Sequence, residues 1–225
     1  SFGLAIVNSH GQSIARILRQ AEEKMYDSKL KESKKTRKKI IQFLESLLWQ
    51  KDYQTEEHVM RLKDLVTKMG KYLGLSQREL DELNQVAMLH DIGKIGVPTE
   101  ILNKPEPLTP DEWVIMKKHC EIGYRITQAS GELAHISEAI LAHHEWWNGE
   151  GYPSGLKGEE IPLYSRIVAI VDSYDVMTHN RPYKNAMTTA DALEEILACG
   201  WKQFDPFLVE VFTGIMKGTI SETIS

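Results

Sequence analysis

The sequence predicts an all-α protein, a helical bundle with a long helix near its N-terminus. Two Ser/Thr-x-x-Glu patterns, Ser76 to Glu79 and Thr109 to Glu112, are typical of the capping boxes that open helices. Apolar residues also recur at spacings of three and four, which is the pattern of an amphipathic helix. Little strand signal follows residue 13, so the body of the protein is predicted to be helical.

The segment from Phe2 to Leu48 predicts a short strand and then helix. Phe2–Val7 is short and apolar, as a strand would be, and helical spacing starts at Ile14. The basic run from Lys29 to Lys39 is interpreted as a solvated helical linker rather than a nucleic-acid patch. From Ile40 to Leu48 an apolar stripe predicts a long connecting helix. If the stripe is exposed, it can pair with a second copy, which makes a homodimer possible.

The next helices are predicted from their ends. One runs from about Thr55 to Tyr72 and stops at Gly74, a residue suited to the left-handed C-cap position. Ser76 then opens a helix that carries the His90-Asp91 pair at its far end. A third helix starts at Thr109, has proline at its first position, and is predicted to carry His119.

The second half of the chain continues this pattern. Asn148 to Pro162 is rich in Gly and Pro and long enough to be a functional loop. The last helix begins at Asp205-Pro206 and runs to about Met216. The helix just before the loop is predicted to turn one face inward, with Ile136, Ile140, His143 and His144. The helix between the loop and the last helix does the same with Ile167, Val168, Val171, Asp172 and Asp175.

Composition excludes several classes of protein. The formal net charge is −5, which disfavours nonspecific binding to a nucleic-acid polymer, although residues 1–40 carry a local charge of +6. No run of roughly 18 apolar residues is present, so no membrane span is expected, and no signal peptide is visible. Cys120 and Cys199 make a poor disulfide framework and indicate a reducing, cytoplasmic location; both are expected to be small buried residues.

A set of histidines and aspartates predicts a metal centre. A histidine beside a carboxylate at the end of an apolar helix must be paired or bound to metal. One histidine on an apolar face is usually a core residue, but a whole set is hard to satisfy by ordinary hydrogen bonds. Nitrogen and carboxylate ligands without thiolate suit iron, manganese or zinc rather than an iron–sulfur centre. The candidate ligands are His58, His90, Asp91, His119, His143, His144 and Asp172.

Asp91 and Lys94 are the candidate catalytic residues. The two oxygens of a carboxylate can bridge two metal ions about 3.5–4 Å apart, which would activate a bridging water and neutralise a phosphodiester. Lys94 follows Asp91 by three residues and can reach a phosphate oxygen or help the leaving group. The alternative is that Lys94 is a helix-end cation that offsets the helix dipole.

The chain from about residue 40 to 215 resembles the HD-GYP family. The motifs that carry the resemblance are His90-Asp91-x-Gly93-Lys94, His143-His144-Glu145, Asn148-Gly149-x-Gly151-Tyr152-Pro153, Gly155-Leu156, Ile161-Pro162, Arg166-Ile167, Asp172-x-x-Asp175, Arg181-Pro182-Tyr183-Lys184 and Phe204-Asp205-Pro206. The resemblance implies an HD-domain helical bundle that hydrolyses cyclic di-GMP. The expected product is linear pGpG, made by a metal-bridging hydroxide, with further cleavage to GMP left open.

The resemblance also assigns roles to single residues. It implies a first metal set of His58, His90, Asp91 and Asp172, and a second of Asp91, His119, His143 and His144. It implies substrate contacts from Lys94, Asp175, Arg181, Tyr183 and Lys184. The Gly151, Tyr152 and Pro153 loop is expected to shape the site or to recognise a partner. Arg181 and Lys184 also suit a dianionic dinucleotide on chemical grounds.

The segment from Ser1 to about Leu30 resembles the C-terminal end of a GGDEF (diguanylate cyclase) domain. The resemblance rests on the strand-then-helix order, on Ala21 to Tyr26 and on Lys29, and it lacks that family's catalytic loop. A generic amphipathic helix after a strand is the alternative. The expected organisation is residues 1–38 as GGDEF remnant and linker, and 39–225 as phosphodiesterase domain. An upstream GGDEF domain in the natural protein and a GGDEF-protein partner are further expectations.

Gln54 bears on the number of metals. Family members with three metals have a glutamate four residues before the first histidine, where this chain has Gln54. A carboxamide is neutral and a weak ligand, so two divalent ions are expected, with iron or manganese ahead of zinc. Two rival functions stay open: a receptor that binds cyclic di-GMP without cutting it, and a hydrolase of another cyclic dinucleotide.

Overall fold

The computed structural model describes residues 14–49, 56–180 and 185–219, and these residues contain α-helices and no β-strand. The predicted all-α class is therefore confirmed. The chain divides into two compact units, Ser1–Phe43 and Leu44–Ser225. The helices are α1 Ile14–Trp49, α2 Glu56–Tyr72, α3 Gln77–Leu89, α4 Thr99–Leu102, α5 Pro110–Lys117, α6 His119–Ala129, α7 Ser137–Leu141, α8 Leu163–Thr178, α9 Thr189–Ala198 and α10 Pro206–Met216. Short 3₁₀ turns occupy Ile92–Gly96, Ala134–Ile136 and Gly158–Glu160.

The basic run is helical and solvated, as predicted. It lies within the single helix α1, where Lys31, Lys35 and Lys38 are exposed. The apolar stripe after it was expected to be exposed, but two of its residues are buried: Ile41 is 8% exposed and Leu48 only 1%. Apolar side chains at helical spacing leave water wherever they can. A dimer through this stripe stays a prediction, and the predicted strand at Phe2–Val7 lies outside the described residues.

Four predicted helix ends of the second unit are confirmed. The backbone N–H of Ser76 donates to Glu79 at 2.8 Å, and that of Thr109 donates to Glu112 at 2.8 Å, which closes both capping boxes. Helix α2 ends at Tyr72, and Gly74 follows with φ of 72°. Helix α10 starts after the cap residue Asp205, which accepts hydrogen bonds from two backbone N–H groups. Local hydrogen bonds therefore set these boundaries.

Two predicted helices are shorter than expected. The helix that opens at Thr109 ends at Lys117, and His119 begins a separate helix after Lys118, whose ψ of −14° departs from the α-helical value of about −42°. Helix α7 ends at Leu141, so His143 and His144 lie in the turn after it. Both corrections concern residues that the site uses.

Packing between helices of the core positions the site. Helix α2 packs against α3 and α8, and α6 packs against the Ile92–Gly96 turn and α7. On α8, Ile167, Val168 and Val171 are fully buried, as the apolar face predicts. Cys120 is buried as expected, Cys199 is partly exposed, and the two are not bonded to each other. Among the described residues, no helix combines the length and apolar character that crossing a bilayer needs.

Candidate metal centre

His90 and Asp91 close α3 in a buried position. They are 2% and 5% exposed, and Asp91 precedes the Ile92–Gly96 turn. His90 Nδ1 lies 2.9 Å from the carbonyl oxygen of Ala87. A carbonyl only accepts, so Nδ1 donates and Nε2 faces the centre. Nε2 is buried and has no hydrogen-bond partner among the described residues, and it lies 3.3 Å from Asp91 Oδ2.

Gly93 allows α6 to approach this pair. A Cβ atom at Gly93 would stand 1.8 Å from the carbonyl oxygen of His119 and 2.6 Å from the backbone nitrogen of Gly123. Only glycine leaves room for such a contact between two backbones. The approach brings His119 Nε2 to 3.4 Å from Asp91 Oδ1. The glycine of the His-Asp-x-Gly-Lys motif is therefore a packing requirement of the site.

Three of the histidines are oriented by the same local device. His119 Nδ1 lies 2.8 Å from the carbonyl of Met116, and His143 Nδ1 lies 2.6 Å from that of Ile140, as His90 does with Ala87. In each case the acceptor is three residues earlier. Each ring therefore donates from Nδ1 and turns Nε2 inward. Backbone carbonyls commonly orient metal-binding histidines in this way.

The candidate ligands fall into two groups, and within each group the donor atoms lie within 4.8 Å of one another. One group is Asp91, His119, His143 and His144, and the other is His58, His90 and Asp172. The structure thus brings together the residues assigned to both metal sets. In the group that contains His58, the Nε2 atom of His58 lies 3.6 Å from Asp172 Oδ1.

Asp91 stands between the two groups. Its Oδ1 lies 3.4 Å from His119 Nε2 and 3.9 Å from His143 Nε2, while its Oδ2 lies 3.3 Å from His90 Nε2. One carboxylate therefore presents one oxygen to each group. A carboxylate in this position could be shared by two metal ions, one held by each group.

The electrostatics of the site keep two imidazoles neutral and the central carboxylate charged. Burial and neighbouring imidazoles lower the pKa of His143 well below its usual value and that of His144 to about 3, so both are neutral near pH 7. Burial opposes the charge of Asp91, but Lys94 and His90 hold the pKa of that carboxyl well below its ordinary range. Burial lowers the pKa of His90, yet Asp91 and Asp172 outweigh it and raise the pKa to about 9.

These residues fit a pair of divalent metal ions. Five imidazoles and two carboxylates converge without a thiolate ligand, and a buried His90 nitrogen faces the centre with no hydrogen-bond partner among the described residues. Such donors suit iron, manganese and zinc. A metal bound near neutral pH would have to displace the His90 proton, because imidazole binds metal in its neutral form.

Lys94 is paired with the central carboxylate. Its Nζ lies 2.8 Å from Asp91 Oδ2, and its side chain is 19% exposed. The sequence predicts either that Lys94 contacts phosphate or that it is a cation at a helix end. The position beside Asp91 puts the ammonium at the centre of the site.

The loop predicted to shape the site packs on His144. The Tyr152 ring stacks on the His144 ring with centroids 4.9 Å apart, and Lys117 Nζ lies 5.0 Å from the centre of the Tyr152 ring. A Cβ at Gly151 would meet the backbone of Glu145 at 2.5 Å. The loop therefore lies directly against the segment that carries His143 and His144.

Glu145 holds this loop and was not among the predicted site residues. It is 3% exposed, and its carboxylate accepts the backbone N–H groups of Ser154, Gly155 and Leu156 at 2.6, 3.1 and 3.1 Å. The available signal was an acidic residue directly after two ligands and directly before two tryptophans. Buried carboxylates need such partners.

A cleft of about 120 Å³ opens beside the candidate ligands. His143, His144 and Asp172 are among its lining residues, together with Trp146, Ser173 and Gln203. Asp175 lies elsewhere: it is 2% exposed, contacts His58, and is not part of the cleft lining. Gln54, Arg181, Tyr183 and Lys184 lie outside the described residues, so their roles stay predictions.

Comparison with known proteins identifies the family. The family model of the HD domain matches residues 42–208. The chain belongs to the HD domain family. The resemblance to HD-GYP proteins is confirmed at the level of this HD domain, whereas the GGDEF resemblance of the segment from Ser1 to Leu30 stays a prediction.

The relatives of this HD domain chain include named phosphodiesterases. A cyclic di-GMP phosphodiesterase of Thermotoga maritima is 42% identical over 180 residues, which cover 79% of this chain and 49% of that protein. The 3'3'-cGAMP-specific phosphodiesterase 2 of Vibrio cholerae is 36% identical over 180 residues, covering 79% of this chain and 34% of the relative. The chain thus spans half or less of the length of these relatives.

A solved structure shares the fold. The crystal structure of a cyclic GMP-AMP-specific phosphodiesterase of V. cholerae aligns with a TM-score of 0.60 at 25% identity. The alignment covers 79% of this chain and 48% of the other. The helical HD bundle expected from the sequence is therefore confirmed.

Proposed function

We propose that this chain is a metal-dependent phosphodiesterase that hydrolyses cyclic di-GMP to linear pGpG. One observation carries the proposal: Asp91 presents one oxygen to each of two groups of buried candidate ligands. A purely structural cluster would not need a shared carboxylate at its centre. The names of the relatives support the reaction class.

The residues of the site have separable tasks in this reaction. Two divalent ions held by the two groups would neutralise the phosphodiester and activate the attacking water. Asp91 keeps the two groups in register, and Lys94 brings a positive charge to the phosphate or the leaving oxygen. The imidazoles of His143 and His144 stay neutral near pH 7 and keep their lone pairs for ligation. The cleft beside Asp172 admits part of the dinucleotide.

The substrate is assigned to cyclic di-GMP, with another cyclic dinucleotide as the rival. The relative named for cyclic di-GMP is 42% identical, and the one named for 3'3'-cGAMP is 36% identical over the same length. Arg181 and Lys184 supply the cations that a dianionic dinucleotide needs. Lys94 and Tyr183 complete the proposed contacts, and the Tyr152 loop borders the site.

The proposed cofactor is two divalent ions per chain, iron or manganese ahead of zinc. Imidazole and carboxylate donors without thiolate support this choice. Gln54 in place of a glutamate argues against a third ion, and we therefore expect pGpG rather than GMP to accumulate. We also place the chain in the cytoplasm, since its two cysteines are free thiols and a reducing compartment keeps them so.

The test is anaerobic loading with iron or manganese, elemental analysis, and chromatography of timed digests of cyclic di-GMP, 3'3'-cGAMP and cyclic di-AMP. We expect two metals per chain and fastest loss of cyclic di-GMP to pGpG. Asp91→Ala should lose metal and turnover, whereas Asp81→Ala, which removes an exposed carboxylate on α3, should behave as wild type.

Three results would contradict the proposal in different ways. Binding of cyclic di-GMP without turnover by the metal-loaded chain would favour the receptor. Faster turnover of 3'3'-cGAMP would move the substrate to the second relative's. Full metal content and near-normal activity in Asp91→Ala would refute the two-metal site itself.

A further inference from the structure

Arg61 and Asp175 form an ion pair one helical turn away from two candidate ligands. Arg61 follows His58 by three residues on α2, and Asp175 follows Asp172 by three residues on α8. Arg61 donates from Nε to Asp175 Oδ1 and from Nη2 to Asp175 Oδ2, the latter at 2.9 Å. The pair is therefore bidentate, which fixes the plane of the carboxylate as well as its position.

Asp175 uses this fixed carboxylate to hold His58. Its Oδ2 lies 2.6 Å from His58 Nδ1, and both side chains are almost fully buried. A carboxylate can only accept, so Nδ1 of His58 carries the proton. The other nitrogen, Nε2, then faces Asp172 Oδ1 at 3.6 Å. The Asp175 carboxylate also lies 3.2 Å from Nδ1 of His179, a half-exposed residue.

His58 differs from the other oriented histidines in what holds it. His90, His119 and His143 are each oriented by a backbone carbonyl that no substitution can remove. His58 is held by a side chain, and that side chain is held by Arg61. If the ion pair only joined α2 to α8, the contact of Asp175 with His58 would have no explanation. A buried ion pair by itself also adds little stability.

We propose that Arg61 and Asp175 are positioning residues that fix the ring of His58 for metal binding beside His90 and Asp172. The inference rests on the proposed function, because it assigns a metal to that group. It gives Asp175 a structural contact with a ligand, where the sequence alone assigned it to substrate. It also adds Arg61, which the sequence analysis did not select, although its spacing of three from a candidate ligand was visible.

The experiment compares Arg61→Met, Arg61→Lys and Asp175→Ala with wild type, using Arg78→Met as the matched control. Arg78 is also a helical arginine paired with a carboxylate, at 2.9 Å from Glu82, but its side chain is 85% exposed. Metal affinity is measured by anaerobic titration with Mn²⁺, activity as a function of metal concentration, and folding by thermal unfolding. The tautomer of His58 is read by ¹⁵N NMR of the metal-free chain.

We expect Arg61→Met and Asp175→Ala to bind one of the two metals about 10–100-fold more weakly, as for other partners of metal ligands. Their activity at limiting metal should fall and should recover in excess metal, which a general loss of packing would not do. Arg61→Lys keeps one cation but loses the bidentate geometry, so it should lie between wild type and Arg61→Met. Arg78→Met should match wild type.

Wild-type metal affinity in both Arg61→Met and Arg61→Lys would overturn the inference while leaving the proposed function intact. So would a His58 proton on Nε2 in the wild-type chain. A wild-type chain that binds no divalent metal would instead refute the proposed function. If Arg61→Met does not fold, Arg61→Lys and the tautomer of wild-type His58 still decide the matter.

Discussion

A methyl group added at Gly93 is expected to open the site between Asp91 and His119. In Gly93→Ala the new Cβ would stand 1.8 Å from the carbonyl oxygen of His119, whereas real Cβ atoms essentially never come within 3.0 Å of such a neighbour. The turn and α6 must therefore move apart until that distance is restored. Because the obstacle is backbone, no side-chain rotation can relieve the contact.

The difference between 1.8 Å and 3.0 Å is large on the scale of metal ligation. Ligand distances tolerate deviations of roughly 0.2 Å, so moving α6 should remove His119 from the group that contains His143 and His144. Overpacking of this kind costs about 1–3 kcal/mol. For a chain of this size, that cost lowers the melting temperature by roughly 2–12 °C.

The assay is anaerobic metal analysis together with thermal unfolding in the presence and absence of a chelator. Gly131→Ala is the control, since a Cβ at Gly131 would meet nothing within 4 Å. We expect Gly93→Ala to lose one metal and its turnover while retaining the metal held by His58, His90 and Asp172. Two metals per chain and a wild-type melting temperature in Gly93→Ala would refute this account of the glycine.

Three further predictions concern the loop, the substrate and the protons. Glu145→Gln replaces an oxygen acceptor by an N–H₂ group that faces backbone N–H donors. The substitution should lower the free energy of unfolding by about 1–3 kcal/mol and speed amide hydrogen exchange at residues 154–156. Unchanged exchange would contradict this role of Glu145. Arg181→Ala should weaken binding of a non-hydrolysable cyclic di-GMP analogue by about 1.5–3 kcal/mol with metal content unchanged; calorimetry that finds wild-type affinity would remove Arg181 from the site. The pKa of His90 is raised to about 9, so this ring is protonated at pH 7 in the metal-free chain. Metal binding should therefore release a proton, and the apparent metal affinity should rise with pH until about 9. Calorimetric titrations in buffers of different ionisation enthalpy measure this release, and finding none would contradict the assignment.

Much of the fold was predictable because its signals are local. Both capping boxes, the end of α2 near Gly74 and the start of α10 after Asp205 are decided by hydrogen bonds between residues two to five positions apart. The buried face of α8 follows from helical periodicity alone. The ligand types were also visible, because imidazole and carboxylate side chains in apolar helices require partners wherever they lie.

The arrangement of the site depended on contacts that no local pattern contains. The helix break at Lys118 and the early end of α7 at Leu141 were not predicted. Helix α6, which starts after this break, packs closely on the turn at Gly93, and that approach needs room for two backbone segments that no local sequence pattern brings together.

The partners of Asp175 could not be predicted from the sequence for the same reason. Its spacing from Asp172 was legible in the sequence, but its partners His58 and Arg61 lie 117 and 114 residues away and meet it only when α2 packs against α8. By itself the sequence determined which residues can bind metal and where most helices begin and end, since those properties belong to side-chain chemistry and to neighbouring residues. The tertiary structure decided which donors share a group, which oxygen of Asp91 faces each group, and which side chain holds His58, because these are distances across packed helices.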